Sequence, residues 1–445
     1  MFLRSLKLFI AALIAVLLAA CGGGGSAAPA PTGLKVTPGE GYATVTWDMV
    51  PGVDYWLFYA PTSIAPADSS ATQKWIGLLG GGWPMNVSSP YVTTVALANG
   101  ISYSFTVNGR TDGGPGGPGA TAVTTTPRLA GGLWTTGTAV VTTATPPTSP
   151  ALRSVAFSTF YVAAGNGGAV FTSPDTVTWT AQPLAATAAS GQNLNGASYF
   201  GNYKLVGDAG MVLTSPDAVT WTAQTSAATA STKSPSVIPS DLKAIASNNS
   251  NLNVAVGTGG TIITSSDGIT WTAATSGTNN DLLAVTYSAF NVGANTAGTW
   301  IAVGKGGVMV QSADGLIWST ANSGTTADLS GVAYGVSSVT AAGVFVEVST
   351  AGTVLSSANG TSWSTQILPA TVTALNAITY GTQFVTVGAA GNIFTSTDGA
   401  TWTLAQATSS SGVVSALSGS DLYAVARGSL AYAAVGASGT NLLSK

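Results

Sequence analysis

The heptad "SSDGITW" at residues 265–271 returns as "SADGLIW" at 312–318 and "STDGATW" at 396–402. Looser copies are "SPDTVTW" at 173–179, "SPDAVTW" at 215–221 and "SANGTSW" at 357–363. The closing tryptophans, Trp179, Trp221, Trp271, Trp318, Trp363 and Trp402, are spaced by 42, 50, 47, 45 and 39 residues. A small unit written this often cannot bury an apolar face alone and must stack on its own copies. A period in the forties, rich in Gly, Thr and Val, is the length of one four-stranded antiparallel unit.

The copy around Trp318 shows the unit. "DLLAVTY" (281–287) reads as an inner strand, "TWIAVG" (299–304) as the second, "VMVQS" (308–312) as the third and "LIWSTA" (316–321) as the outer one. Between strands two and three sits a glycine turn, at 165–168, 207–210, 257–260, 304–307, 388–391 and 436–439. Tight hairpins need positive φ, which suits glycine. The fifth copy writes Ser349 for the first glycine, so its turn should differ. Six units end in a motif tryptophan, and a seventh starts at Asp421 with three strands. Its fourth strand is supplied by "GLWTTGT" (132–138), which looks like the end of a repeat. The expectation is an all-β chain whose residues 128–445 form a seven-bladed β-propeller closed by an N-terminal strand, leaving no open edge.

The recurrent acid reads as a turn residue. Asp175, Asp217, Asp267, Asp314 and Asp398, with Asn359 as their isostere, follow a serine by two positions, where a side-chain oxygen can accept nearby backbone N–H groups. Asn359 can accept such bonds but cannot be a general base. Lone carboxylates some forty residues apart do not assemble a calcium cage, so no metal is expected, and no cofactor. The tryptophans are expected to pack between blades.

With these heptads in view, the repeat resembles the Asp-box (BNR) propellers of sialidases, sortilin-type receptors and photosystem II assembly factors. Its Asp-to-Trp step is one residue shorter than the usual box. The sialidase branch of that resemblance would imply an arginine trio and a Tyr/Glu nucleophile pair. Residues 128–445 hold only Arg128, Arg153 and Arg427, and Glu347 is their single glutamate. There is no histidine in the chain, which removes the commonest general base and metal ligand. The chain is therefore expected not to be an enzyme, with a sialidase-like glycoside hydrolase as the alternative.

Variation among repeats points to binding instead. In the inner-strand pattern "DLxAV" the x position holds Arg153, Asn195, Lys243, Leu283, Ser330, Asn376 and Tyr423. The polar members and Tyr423 are candidate partner-binding residues around the channel mouth, with Asn166, Asp208, Lys305, Asp241, Asp281, Asp328 and Asp421 expected on the same face. Solvated residues around a water-filled channel are the plainer alternative. Glu347 stands where other repeats have Ala163, Leu205, Ala255, Ala302, Thr386 and Ala434, and a carboxylate in a packed layer is costly.

Upstream, "MFLRSLKLFIAALIAVLLAAC" joins basic Arg4 and Lys7 to a short apolar run ending at Cys21, the only cysteine. It resembles the lipobox of bacterial lipoproteins, which implies a signal peptide over 1–20, acylation of Cys21 and, with Gly22 following, the outer membrane. Residues 21–30 ("CGGGGSAAPA") read as a flexible tether. Residues 31–127 carry short strands and turns. Leu34, Trp47, Tyr55, Tyr59, Leu97, Asn99-Gly100 and Tyr103 resemble a fibronectin type III domain with its tyrosine corner. The 60–88 segment is longer than that pattern. Charged residues make up 7% of the chain and the net charge is −3, against about 25% charged residues in ordinary soluble proteins. With no basic run, phosphate-driven nucleic-acid binding is not expected. The reading is a lipid-anchored, monomeric cell-envelope scaffold that binds a protein or glycan.

Overall fold

The structure is a computed structural model that describes residues 25–68, 74–75, 86–94, 96–142, 148–184, 191–224, 240–248, 250–288, 298–336, 342–409, 412–414, 419–429 and 431–445. Cys21 and the leader lie outside the described residues, as does much of 60–88. Two compact units divide between Leu129 and Ala130.

The first unit holds two three-stranded sheets. Lys35–Pro38, Ala43–Thr46 and Tyr91–Val92 form one; Asp54–Pro61, Tyr103–Arg110 and Val123–Thr125 form the other. Alternation places Ala43, Val45, Trp47, Tyr55, Leu57, Tyr59, Phe105 and Val107 in the core between them. The Tyr103 hydroxyl accepts the Ala98 N–H at 3.1 Å, fastening the corner where strand 103–110 begins. The second sheet is also covered outside: Phe58 and Ala60 pack with Trp75, so the long 60–88 segment supplies a lid residue. The tether expected to run to residue 30 stops earlier, because Ala27 bridges Arg110 and the Ala28 N–H donates to Gly109 O.

The second unit contains, among the described residues, six four-stranded sheets and one of six strands. Their inner strands are Leu152–Phe157, Leu194–Phe200, Leu242–Ser247, Leu282–Ser288, Leu329–Val336, Leu375–Tyr380 and Leu422–Arg427. Each inner strand neighbours the next, and the last neighbours the first, so the sheets form a ring. The sheets are numbered here in chain order from Leu152. In the seventh, Leu133–Thr136 pairs antiparallel with Asn441–Ser444. The chain leaving sheet six then adds Gln406–Ser409, parallel to Leu133–Thr136, and Gly412–Val414.

The outer strands begin later than the pattern suggests. In sheet four the outer strand is Ser319–Asn322, because the Leu316 and Ile317 N–H groups are held by Asp314 in the turn. The glycine turn also has two distinct requirements. Gly306 and Gly307 adopt φ of 67° and 70°, the left-handed region glycine tolerates. Gly304 is extended at φ −173°; a Cβ there would sit 1.9 Å from Asp281 O. Close approach, not positive φ, selects that first glycine. Ser349 replaces it in sheet five, where its Oγ accepts the Ala351 and Thr353 N–H groups and caps its own turn.

Candidate functional site

The heptad proves to be a fastener built on a buried serine. In sheet four the Ser312 hydroxyl donates to Asp314 Oδ1 at 3.0 Å and accepts the Gly315 N–H at 2.8 Å. Asp314 Oδ1 also accepts the Leu316 and Ile317 N–H groups at 2.8 and 3.0 Å. Those bonds, Ile317 first and Leu316 second, hold the Asp314 carboxyl below its ordinary range. Asp175, Asp217, Asp267 and Asp398 accept the same two forward N–H groups and the same serine. Asn359 does so through its amide oxygen. No three metal-ligating side chains cluster among the described residues.

The tryptophans lock neighbouring sheets. Trp221 packs on Val162, Ala164 and Val170 of sheet one, and Trp402 on Val346, Val348 and Val354 of sheet five. Trp271 and Trp318 each donate Nε1–H to the carbonyl three residues back, at 3.2 and 2.9 Å. Trp134, fully buried against Val385, Val387 and Ile393, repeats this role with Nε1–H on Gly131 O at 2.6 Å. The strand at 133–136 is thus a displaced copy of the repeat's end, as its sequence suggests.

All seven x positions share a feature that the sequence does not show. The pairing register shifts at Leu152/Ser154, Leu194/Gly196, Leu242/Ala244, Leu282/Ala284, Leu329/Gly331, Leu375/Ala377 and Leu422/Ala424. Arg153, Asn195, Lys243, Leu283, Ser330, Asn376 and Tyr423 are therefore bulge residues at one end of the inner strands. A bulge leaves its extra residue outside the ladder and re-aims its side chain.

These seven do not act alike. Asn195 Nδ2–H donates to Leu242 O at 3.0 Å, Asn376 Nδ2–H to Leu422 O at 2.7 Å, and the Ser330 hydroxyl to Leu375 O. Each reaches the inner strand of the next sheet, so these three are inter-sheet ties. Arg153 Nε–H donates to Asn166 Oδ1. Lys243 Nζ lies 3.1 Å from Asp241 Oδ2 and 3.7 Å from Asp208 Oδ1. Lys305 Nζ lies 2.8 Å from Asp281 Oδ2. That Lys305 bond and the Gly259 N–H keep the Asp281 carboxyl low. Arg153 is exposed; Lys243, Leu283 and Tyr423 are half-buried.

The leading acids of "DLxAV" carry a second duty. Asp241 Oδ1 accepts the Ala209 N–H, Asp281 the Gly259 N–H, Asp328 the Gly306 N–H and Asp421 the Ala390 N–H, at 2.8–3.0 Å. Each acid clamps the glycine turn of the preceding sheet, and Asn193 does the same for Gly167. Sheet six has Ala374 at this place, and the turn before it is the one that Ser349 caps by itself.

Two residues along, the inner strands place Val155, Ala197, Ile245, Val285, Val332, Ile378 and Val425 around a central cavity of about 350 Å³, with Tyr334 and Tyr380 also lining it. Thr286 and Thr379 line it as well, and its exposed surface is mostly polar. Glu347 is not among the residues that line this space. It is fully buried, paired in register with Val332 and Leu355, and burial pushes its carboxyl up to about 8. Lys204 is buried as well. It donates Nζ–H to Phe200 O and Asn202 O at 2.8 and 3.2 Å, and burial lowers its ammonium to about 8.

No protein-family model matches the chain, and no curated protein does. Among solved structures, it is similar to YCF48 bound to a D1 peptide, at 17% identity and TM-score 0.50, covering 70% of this chain and 96% of that one. It is similar to the WD40 β-propeller domain of Doa1 at 12% identity and TM-score 0.50, with the same coverages of 70% and 96%. YCF48 from Cyanidioschyzon merolae matches at 16% identity and TM-score 0.49, over 70% of this chain and 98% of that one. At such identities the likeness is one of fold: the ring of sheets is a β-propeller.

Proposed function

We propose that the protein is a lipid-anchored recognition protein of the bacterial cell envelope, in which a fibronectin type III-like sandwich carries a seven-bladed, Asp-box-like propeller that binds a protein partner. The ring of seven inner strands, closed at its last sheet by residues 133–136, supports that blade count. The carrying observation is the set of inner-strand bulges. They deliver seven side chains of six different kinds to one rim of the central channel, while the heptads are committed to turns. Rims and bulges are where β structures present binding groups. A YCF48 structure is described as bound to a D1 peptide, and the same use of a propeller is proposed here. Arg153, Lys243, Leu283 and Tyr423 are the contacting residues. Asn195, Ser330 and Asn376 hold the sheets that carry them.

The reading is of a binder and not a glycoside hydrolase. Arg427 lies over the Tyr432 ring, 4.9 Å from its centroid, and Arg153 bonds Asn166, so neither joins an arginine trio. The test is the double variant Arg153→Glu/Lys243→Glu in the full chain. Capture of the partner that co-purifies from native envelopes should fall at least tenfold with the melting temperature unchanged. Undiminished capture refutes the rim as the binding site, and turnover of sialosides or aryl glycosides refutes the non-enzymatic reading.

A further inference from the structure

The start of the sandwich is clamped, not loose. The Thr111 N–H donates to Ser26 O at 2.9 Å and the Ala28 N–H to Gly109 O at 3.2 Å. Ala27 bridges Arg110 between them, and the Ser26 and Thr111 hydroxyls lie 3.0 Å apart. The slot exists because Gly114 and Gly117 of "DGGPGGPG" lack side chains. A Cβ on Gly117 would stand 1.9 Å from Ala28 O, and one on Gly114 2.3 Å from Gly25 C. The end of the segment that read as a tether therefore interlocks with the glycine-rich 112–119 segment.

The clamp sets a distance. From Cys21 to Gly25 the chain is four residues long, at most about 14 Å when extended. Arg110 also pairs with Asp54 across the sheet. That register brings the loop of residues 48–53 beside the clamp, and a Cβ on Gly109 would meet both Val53 Cγ1 (2.6 Å) and Ala28 Cβ (3.2 Å). In this loop Met49 is 48% and Val50 56% exposed. Of the charges nearby, Asp54 lies 4.0 Å from Arg110, Asp48 Oδ2 accepts the Thr32 hydroxyl at 2.7 Å, and Asp112 is exposed. At the other end of strand 103–110, the Gly100 N–H is tied to Pro127 O.

We propose that this tip of the sandwich is a membrane-contact surface, with Met49 and Val50 entering the interface of a zwitterionic bilayer. The proposal rests on acylation of Cys21. An acyl chain four residues away raises the local concentration of lipid enough for two apolar side chains to matter. The tip offers no basic cluster, so attraction to anionic headgroups is not the driving force.

The test uses the full acylated chain in phosphatidylcholine/phosphatidylethanolamine vesicles containing brominated lipid. A bimane label at Met49→Cys should be quenched at least threefold more than one at Ile101→Cys, a site near the other end that is 47% exposed. Gly117→Ala should erase that difference by opening the clamp. The double variant Met49→Ser/Val50→Ser, confined to exposed positions, should leave vesicles several-fold faster. Equal quenching at both labels, or unchanged release of the serine variant, overturns the proposal while the anchor stands. A protein that ignores vesicles and whose N-terminal peptide lacks acyl mass shows that the anchor itself has failed, and the tip proposal with it.

Discussion

Glu347 makes the propeller's stability fall with rising pH across a range where no side chain of ordinary affinity has its midpoint. Burial raises its carboxyl from 4.5 to about 8, and neither carboxyl oxygen has a hydrogen-bond partner. The folded chain therefore keeps a proton that the unfolded chain releases above pH 4.5, and stability drops by about 1.4 kcal/mol per pH unit until roughly pH 8. Stabilisation from this group is complete below the unfolded value and gone above the folded one. From pH 5 to 7.5 the loss is about 3 kcal/mol, or about 5 °C in Tm for a domain of roughly 300 residues. The chain has no histidine, so the usual competing signal is missing. Thermal unfolding followed by tryptophan fluorescence at half-unit pH steps measures the slope. Glu347→Gln, which keeps the shape and cannot ionise, should flatten it. A flat wild-type profile, or the same slope in the variant, refutes the assignment.

Lys204 works in the opposite sense. Its folded value of about 8 lies below the ordinary 10.5, so stability should recover between those values by an amount on the order of 2 kcal/mol, giving a minimum near pH 8; Lys204→Met should abolish the alkaline recovery in the same scans. Asp314→Asn should leave urea midpoints nearly unchanged, as Asn359 already serves in sheet five, whereas Asp314→Ala should cost about 1 kcal/mol by freeing the Leu316 and Ile317 N–H groups. Gly304→Ala should greatly reduce soluble yield, because its Cβ would meet Asp281 O at 1.9 Å. Gly306→Ala should fold with a loss of about 1 kcal/mol in chemical denaturation, since Ala209 and Ala390 occupy the same turn position at φ of 55° and 54°.

What the sequence disclosed was whatever the repeat encodes locally. The heptad's serine and acid act within a few residues of one another, so spacing alone identified the turn. Trp134 was recognisable because it carries the same short context into a distant segment. What stayed hidden depends on a neighbouring sheet. Asp241, Asp281, Asp328 and Asp421 read as rim charges, yet each accepts an N–H from the turn of the sheet before it. Asn195, Ser330 and Asn376 vary as docking residues would, yet they bond the next sheet's carbonyls. The bulges themselves leave no mark in residue type, because the extra residue is free to be Arg, Leu or Tyr. Glycine composition was misleading at both ends of its use: Gly304 is selected by a carbonyl contact, and Gly25 to Ala28 fit a slot formed by the "GGPGGPG" run.

The pairing of Leu133–Thr136 with Asn441–Ser444 has a consequence for biogenesis. Its two partners are separated by nearly the whole unit, the kind of contact order that makes closure a late and slow event. A nascent chain emerging N-terminus first must carry the Trp134 strand unpaired on that side until its final residues arrive. Termination before Asn441–Ser444 would leave two sticky borders in place of one seam, which makes translation of that strand a quality checkpoint for the whole ring.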